Sequence, residues 1–153
     1  MTQPATLDHA GIAACVPHSG SMCLLDRLLS WSADEIRCSA ISHLDTGNPL
    51  RQSGVLPAPA AIEYASQVMA LHGHLGAAPG SPPVPGFLAA VRGVDLHTPR
   101  LDDIEGELLV TAHRLLGDAR QAQYCFTLHD ARGKLLVEGR VTVILNALPA
   151  MLR

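Results

Sequence analysis

The chain has 153 residues, 48% hydrophobic and 16% charged, with a mean hydropathy of +0.20; this fits one folded domain and excludes a disordered polymer. Its formal net charge of -3 and pI near 6.2 exclude the basic footprint that nucleic-acid binding needs. No apolar run approaches the roughly 20 residues of a membrane helix, and the first seven residues lack the basic and apolar parts of a signal peptide. The expectation is a single domain over 1–153, cytoplasmic and without membrane contact. Aromatic residues make up only 3% of the chain, so Leu, Val, Ile and Ala must fill the core. The four cysteines, Cys15, Cys23, Cys38 and Cys125, form no C-x-x-C pair and have no histidine at zinc-finger spacing, which reads as reduced, mostly buried thiols and no metal site.

In chain order, residues 12–31 read as a short helix from Ile12-Ala13-Ala14, a turn through Pro17-His18-Ser19-Gly20-Ser21, and an apolar element from Met22 entering a strand. Residues 35–43 alternate loosely (Ile36, Cys38, Ala40, Ile41), as a half-buried strand does. Gly47, Asn48, Pro49, Gly54, Pro57 and Pro59 then force a loop over 45–59. Pro59 suits the first turn of a helix, where its missing N–H costs nothing.

From Ala60 onward Ile62, Ala65, Met69 and Leu75 recur at helical spacing, and Ala61, Val68, Ala70 and Leu71 widen the stripe. Such a helix is apolar around most of its circumference and must be wrapped by other structure. Within its pattern sits one carboxylate, Glu63, a group costly to bury when charged. Residues 76–85, rich in Gly, Ala, Ser and Pro, end the helix as a connector. Four strands follow over 87–96, 106–116, 121–130 and 134–145, with hairpin chemistry at Gly117-Asp118 and Asp130-Ala131-Arg132-Gly133. A meander of four strands after one enclosed helix predicts an α+β domain whose antiparallel sheet curls round that helix.

These residues resemble a known family. Pro17-His18 followed by Leu24-Leu25-Asp26-Arg27, and Leu56-Pro57-Ala58-Pro59-Ala60-Ala61-Ile62-Glu63-Tyr64-Ala65-Ser66-Gln67, are similar to the opening and the helix motif of β-hydroxyacyl-acyl-carrier-protein dehydratases of the hot-dog fold. Ser42-His43, Asn48-Pro49-Leu50-Arg51, Glu63-Tyr64-Ala65 with Gln67, and His72-Gly73 look like the divergent subgroup associated with aryl polyene pigment clusters. The resemblance covers roughly 12–146. One feature departs from the common pattern: His43 precedes Glu63 by 20 residues, a longer loop than the family uses. Either the enlarged loop still brings His43 to the site, or Asn48 occupies the histidine's place.

The resemblance implies dehydration of a 3-hydroxyacyl thioester carried on the phosphopantetheine arm of an acyl carrier protein, with no cofactor bound by the chain itself. It also implies a dimer, of this chain with itself or with a related hot-dog subunit, in which the histidine of one chain faces the acid of the other. Elimination needs a base, an acid and a group that polarises the carbonyl. His43 is the candidate base and Glu63 the candidate acid, assisted by Gln67 one helical turn on. Ala58 and Ala60 offer backbone N–H groups for the carbonyl at the helix start. Arg51, Arg92 and Arg100 are candidates for phosphate or carrier-protein contact. His72 and His74 lie two apart on a helix, point to different sides and do not make a metal pair. A thioesterase on the same fold, or a silent partner subunit of an active dehydratase, remain alternatives, because fold alone does not select chemistry.

Overall fold

In the computed structural model, residues 3–4, 7–16, 20–77, 86–118 and 120–145 are described. The expected turn at Pro17 and His18 and most of the connector after the helix lie outside them. The elements are β1 (Gln3–Pro4), α1 (His9–Ala13), β2 (Arg27–Trp31), β3 (Glu35–Ala40), α2 (Ala61–Leu75), β4 (Gly86–Leu96), β5 (Leu108–Gly117), β6 (Gln121–His129) and β7 (Leu135–Leu145). Short 3-10 turns cover Gly20–Met22, Ser42–Leu44 and Ala58–Ala60. No helix among the described residues is long and apolar enough to cross a membrane.

The chain enters α1 earlier than its apolar residues suggest, because the Asp8 side chain accepts the Gly11 N–H at 2.9 Å and caps the helix at His9. The long helix follows from Pro57 and Pro59: extended backbone at Pro57, a 3-10 turn containing Pro59, then fifteen α-helical residues. Ala61, Tyr64, Ala65, Gln67, Val68, Met69, Leu71 and His72 are buried on it. The helix packs on β3, β5 and β6, whose inward residues alternate as a half-buried sheet requires: Ile36, Cys38 and Ala40; Leu108, Val110 and Ala112; Ala122, Tyr124, Phe126 and Leu128. Gly139 lies opposite Phe126 in the β6–β7 register, and a Cβ there would lie 3.0 Å from the ring and from Val94, so a larger residue would crowd this aromatic packing.

The sheet order is β1-β2-β3-β5-β6-β7-β4, antiparallel throughout. This is the expected α+β sheet around one helix, with one correction. The meander has three strands, not four: β3 takes the place beside β5, and β4 crosses to the far edge against β7. Hairpin turns tie β5, β6 and β7 locally, whereas β4 is separated from β5 by the 97–107 loop and is free to pair elsewhere. As an edge strand β4 leaves Leu88, Val91 and Leu96 exposed.

The four cysteines are free thiols, Cys23 and Cys38 buried and the others half-buried. Burial pushes the Cys38 thiol up to about 12, which leaves it an inert packing group.

His72 ties the core together. Its Nε2 donates to the Ser32 carbonyl at 2.7 Å, so Nδ1 accepts from the Tyr124 hydroxyl, also at 2.7 Å, in the neutral ring. Burial, and to a lesser degree the Arg114 cation, hold its pKa below the ordinary 6.5 against the pull of the Ser32 carbonyl and Asp34. A depressed folded-state value means that the unfolded chain binds more protons below that pH. The stability is complete above about pH 6.5 and is lost as pH falls toward the folded value. Melting temperature is therefore expected to fall between pH 7.5 and 5, with a shallower slope in His72→Gln; parallel slopes in the two proteins would contradict this role.

Candidate active site

β3 ends at Ala40, and the chain turns immediately into the 3-10 segment that carries His43. The ring is completely buried, with Nε2 3.0 Å from the Ile104 carbonyl oxygen. A carbonyl only accepts, so Nε2 carries the hydrogen and Nδ1 presents a lone pair. Nδ1 has no hydrogen-bond partner among the described residues. Burial lowers the pKa of this imidazole; the carbonyls of Ile104 and Gly106 oppose the shift, and the Arg51 cation adds to it. The ring is a neutral imidazole in the tautomer of a base.

The turn is tied to the helix by a buried polar chain. Ser42 Oγ donates to the Leu24 carbonyl at 2.7 Å. Its single hydrogen is thereby used, so at 2.8 Å it accepts from the Tyr64 hydroxyl, which accepts in turn from Asn48 Nδ2 at 3.2 Å. Asn48 Nδ2 also donates to the Ser42 carbonyl, and its Oδ1 accepts the Leu50 N–H. Asn48, the alternative occupant of the histidine's place, holds the loop together as a turn-forming residue does, with its side-chain amide engaged internally.

Arg51 likewise turns inward: Nη2 donates to the His43 carbonyl at 3.0 Å and Nη1 to the Gly54 carbonyl at 2.9 Å. Arg100 forms a forked ion pair with Asp102, which also accepts the Leu56 N–H at 2.9 Å. The arginine holds the carboxyl of Asp102 well below the usual range. Together with the Leu101 N–H on the Leu56 carbonyl, this pair straps the 98–103 loop to the start of the helix. Arg51 and Arg100, candidates for carrier contact, thus each also fasten a loop internally. Arg92 does reach the surface. It lies opposite Arg140 in the β4–β7 register, and both line a cavity of about 160 Å³ with Gln123 and Thr142.

Glu63 sits half-buried in the first turn of α2, and Gln67 Nε2 lies 3.3 Å from its Oε1. Gln67 is fully buried; it donates to the Met22 carbonyl at 2.6 Å and accepts the Leu24 N–H at 2.8 Å. It therefore orients the acid and clamps the segment before β2. The Ala58 and Ala60 N–H groups, expected to face a substrate carbonyl, are engaged with the carbonyls of Pro99 and Pro57 at 3.1 and 3.0 Å. The 3-10 turn consumes the Ala60 donor, and the loop that follows β4 takes that of Ala58. Ser42 and Tyr64 carry a sequence signal only as members of the motifs, and Tyr64 also because a tyrosine in a buried helical stripe must find a partner for its hydroxyl; nothing local marks the Ile104 carbonyl.

The family of ApeP-like proteins, described as ApeP dehydratase, matches residues 10–152. Among solved structures, the dehydratase heterocomplex ApeI:P from Xenorhabdus doucetiae is similar, with a TM-score of 0.77, 20% identity, and coverage of 92% of this chain and 94% of that one. Zebra fish thioesterase superfamily member 2 aligns with a TM-score of 0.61 and 17% identity over 92% of this chain and 100% of that one. A thioesterase from Haemophilus influenzae aligns with a TM-score of 0.57 and 15% identity over 78% and 76% of the two chains. At these identities the structural likenesses establish the hot-dog fold. No curated protein matches the sequence significantly. With the family match spanning nearly its whole length, the chain belongs to the ApeP-like dehydratase family.

Proposed function

We propose that this protein eliminates water from a 3-hydroxyacyl thioester delivered on an acyl carrier protein, giving the trans-2-enoyl product in aryl polyene-type biosynthesis. The observation that carries the assignment of roles is His43: a neutral ring whose Nε2 hydrogen is committed to Ile104 while Nδ1 has no hydrogen-bond partner among the described residues. Nδ1 takes the α proton, the electron pair of that C–H bond becomes the α,β double bond, and the β C–O bond breaks. Glu63 gives its proton to the departing hydroxyl, which leaves as water. One proton gained by His43 and one lost by Glu63 balance, and exchange between them resets the site.

His43 and Glu63 act across a subunit pair. Within one chain the buried Nδ1 has no bond to Glu63. The exposed edge strand β4 with its apolar side chains supports pairing. The heterocomplex from Xenorhabdus doucetiae supports a related hot-dog subunit as the partner.

The test supplies 3-hydroxyacyl carrier protein to this chain alone and to the chain with a related subunit, and follows enoyl formation against free thiol. Enoyl formation supports the reading. Thiol without enoyl would make the protein a thioesterase. Inactivity alone, with stimulation of a partner that is already competent, would make it a silent subunit.

Carrier contact falls to Arg92 and its neighbour Arg140. Reversing both to glutamate is expected to raise KM for the carrier-bound substrate on the order of tenfold, as loss of electrostatic steering does. The effect should weaken at high salt and vanish with a pantetheine thioester; equal losses on both substrates would remove these arginines from docking.

A further inference from the structure

We propose that Arg51 is a positioning residue of the elimination: it fixes the turn that carries the imidazole and sets a permanent positive charge beside the ring. This rests on the role given to His43 above. The geometry is direct, since Nη2 donates to the carbonyl of His43 itself and Nη1 to Gly54, so the guanidinium bridges both ends of the loop.

Two neutral carbonyls could be tethered by a neutral donor. Here a cation is used, and its Nε–H is buried with no hydrogen-bond partner among the described residues. An unmet buried donor on a charged group is costly, and a tether selected for stability alone would avoid it. The orphaned Nε–H marks a charge kept in place for its effect on a neighbour.

That neighbour is His43. From the 104–106 segment the ring meets the carbonyls of Ile104 and Gly106, and from its own loop the Arg51 cation. Asp103 and Glu105, either side of Ile104, are exposed, and Asp45 on the loop is exposed with an oxygen on the Gly47 N–H. Asp102 is committed to Arg100 and Leu56. Arg51 therefore opposes protonation of the ring in the resting state. It also raises the acidity of the imidazolium formed after proton abstraction, which speeds the return of that proton.

The test compares the wild type with Arg51→Gln and Arg51→Lys in the assembled protein. The His43 ring is titrated by nitrogen NMR, and kcat and KM are measured across pH, with melting temperature as a check on folding. In Arg51→Gln the His43 titration and the acidic limb of kcat/KM should both move to higher pH. The same variant should lose on the order of 10- to 100-fold in kcat at unchanged KM, the scale of a misplaced catalytic group. Lysine restores charge without the fork, so in Arg51→Lys the titration should return toward wild type while kcat stays low. An unmoved His43 titration in folded Arg51→Gln overturns the inference whatever the activity. Full activity in His43→Ala would instead overturn the assignment of the base, and the two failures are read from different measurements.

Discussion

His43→Ala is expected to lower kcat by about 10²- to 10⁴-fold, the range of a lost general base, with KM for the carrier-bound substrate little changed. The reasoning is atomic. Elimination cannot begin until the α proton leaves, and Nδ1 is a buried lone pair without a competing donor. The Nε2 hydrogen on Ile104 keeps the tautomer from inverting. Because the pKa is depressed by burial and by Arg51, the ring is already deprotonated near neutrality, and the limb of the pH profile that belongs to His43 lies on the acid side, where the imidazole charges. His43→Gln serves as a second, less cavity-forming variant, with melting temperature measured in both. Near wild-type turnover in either folded variant would remove His43 from the chemistry.

The second large effect is Glu63→Gln, expected to fold normally and to lose turnover to a similar degree. The amide preserves the shape of the acid beside Gln67 but has no proton to give to the leaving hydroxyl. Subunit mixing sharpens the test. If the chain pairs with itself, neither dead variant works alone. Mixing His43→Ala with Glu63→Gln then creates heterodimers with one intact composite site, about a quarter of all sites in a random mixture. If the working partner is a related subunit, mixing restores nothing and activity returns only with that subunit. Undiminished activity in Glu63→Gln under every pairing would reject the acid.

The long helix was legible because its signals are local. Pro57 and Pro59 mark the start, a run of apolar residues at helical spacing follows, and Glu63 and Gln67 fall one turn apart on it. The strand hairpins were legible through Gly117 and Gly133 for the same reason. Strand order was not, since nothing local in β4 records that its partner is β7 rather than β5; pairing is a long-range choice settled by which edge remains open. The site divides along the same line. His43 and Glu63 were visible as chemistry-bearing types in suggestive surroundings. The internal bonds of Arg51 and Arg100 were hidden, because a polar side chain on a loop is equally able to meet a ligand or its own backbone.

Residue order is enough to specify one enclosed helix with a lone acid, and the family's motifs, since periodicity, proline placement and turn chemistry act over a few neighbours. Folding settled which donors remain for a substrate. The Ala58 and Ala60 amides went to carbonyls, Asn48 to the Ser42–Tyr64 chain, and one histidine nitrogen was tied to Ile104 while the other stayed without a hydrogen-bond partner among the described residues. The physical reason is that a buried polar atom takes the partner that packing brings to it, and that partner is often far away along the chain.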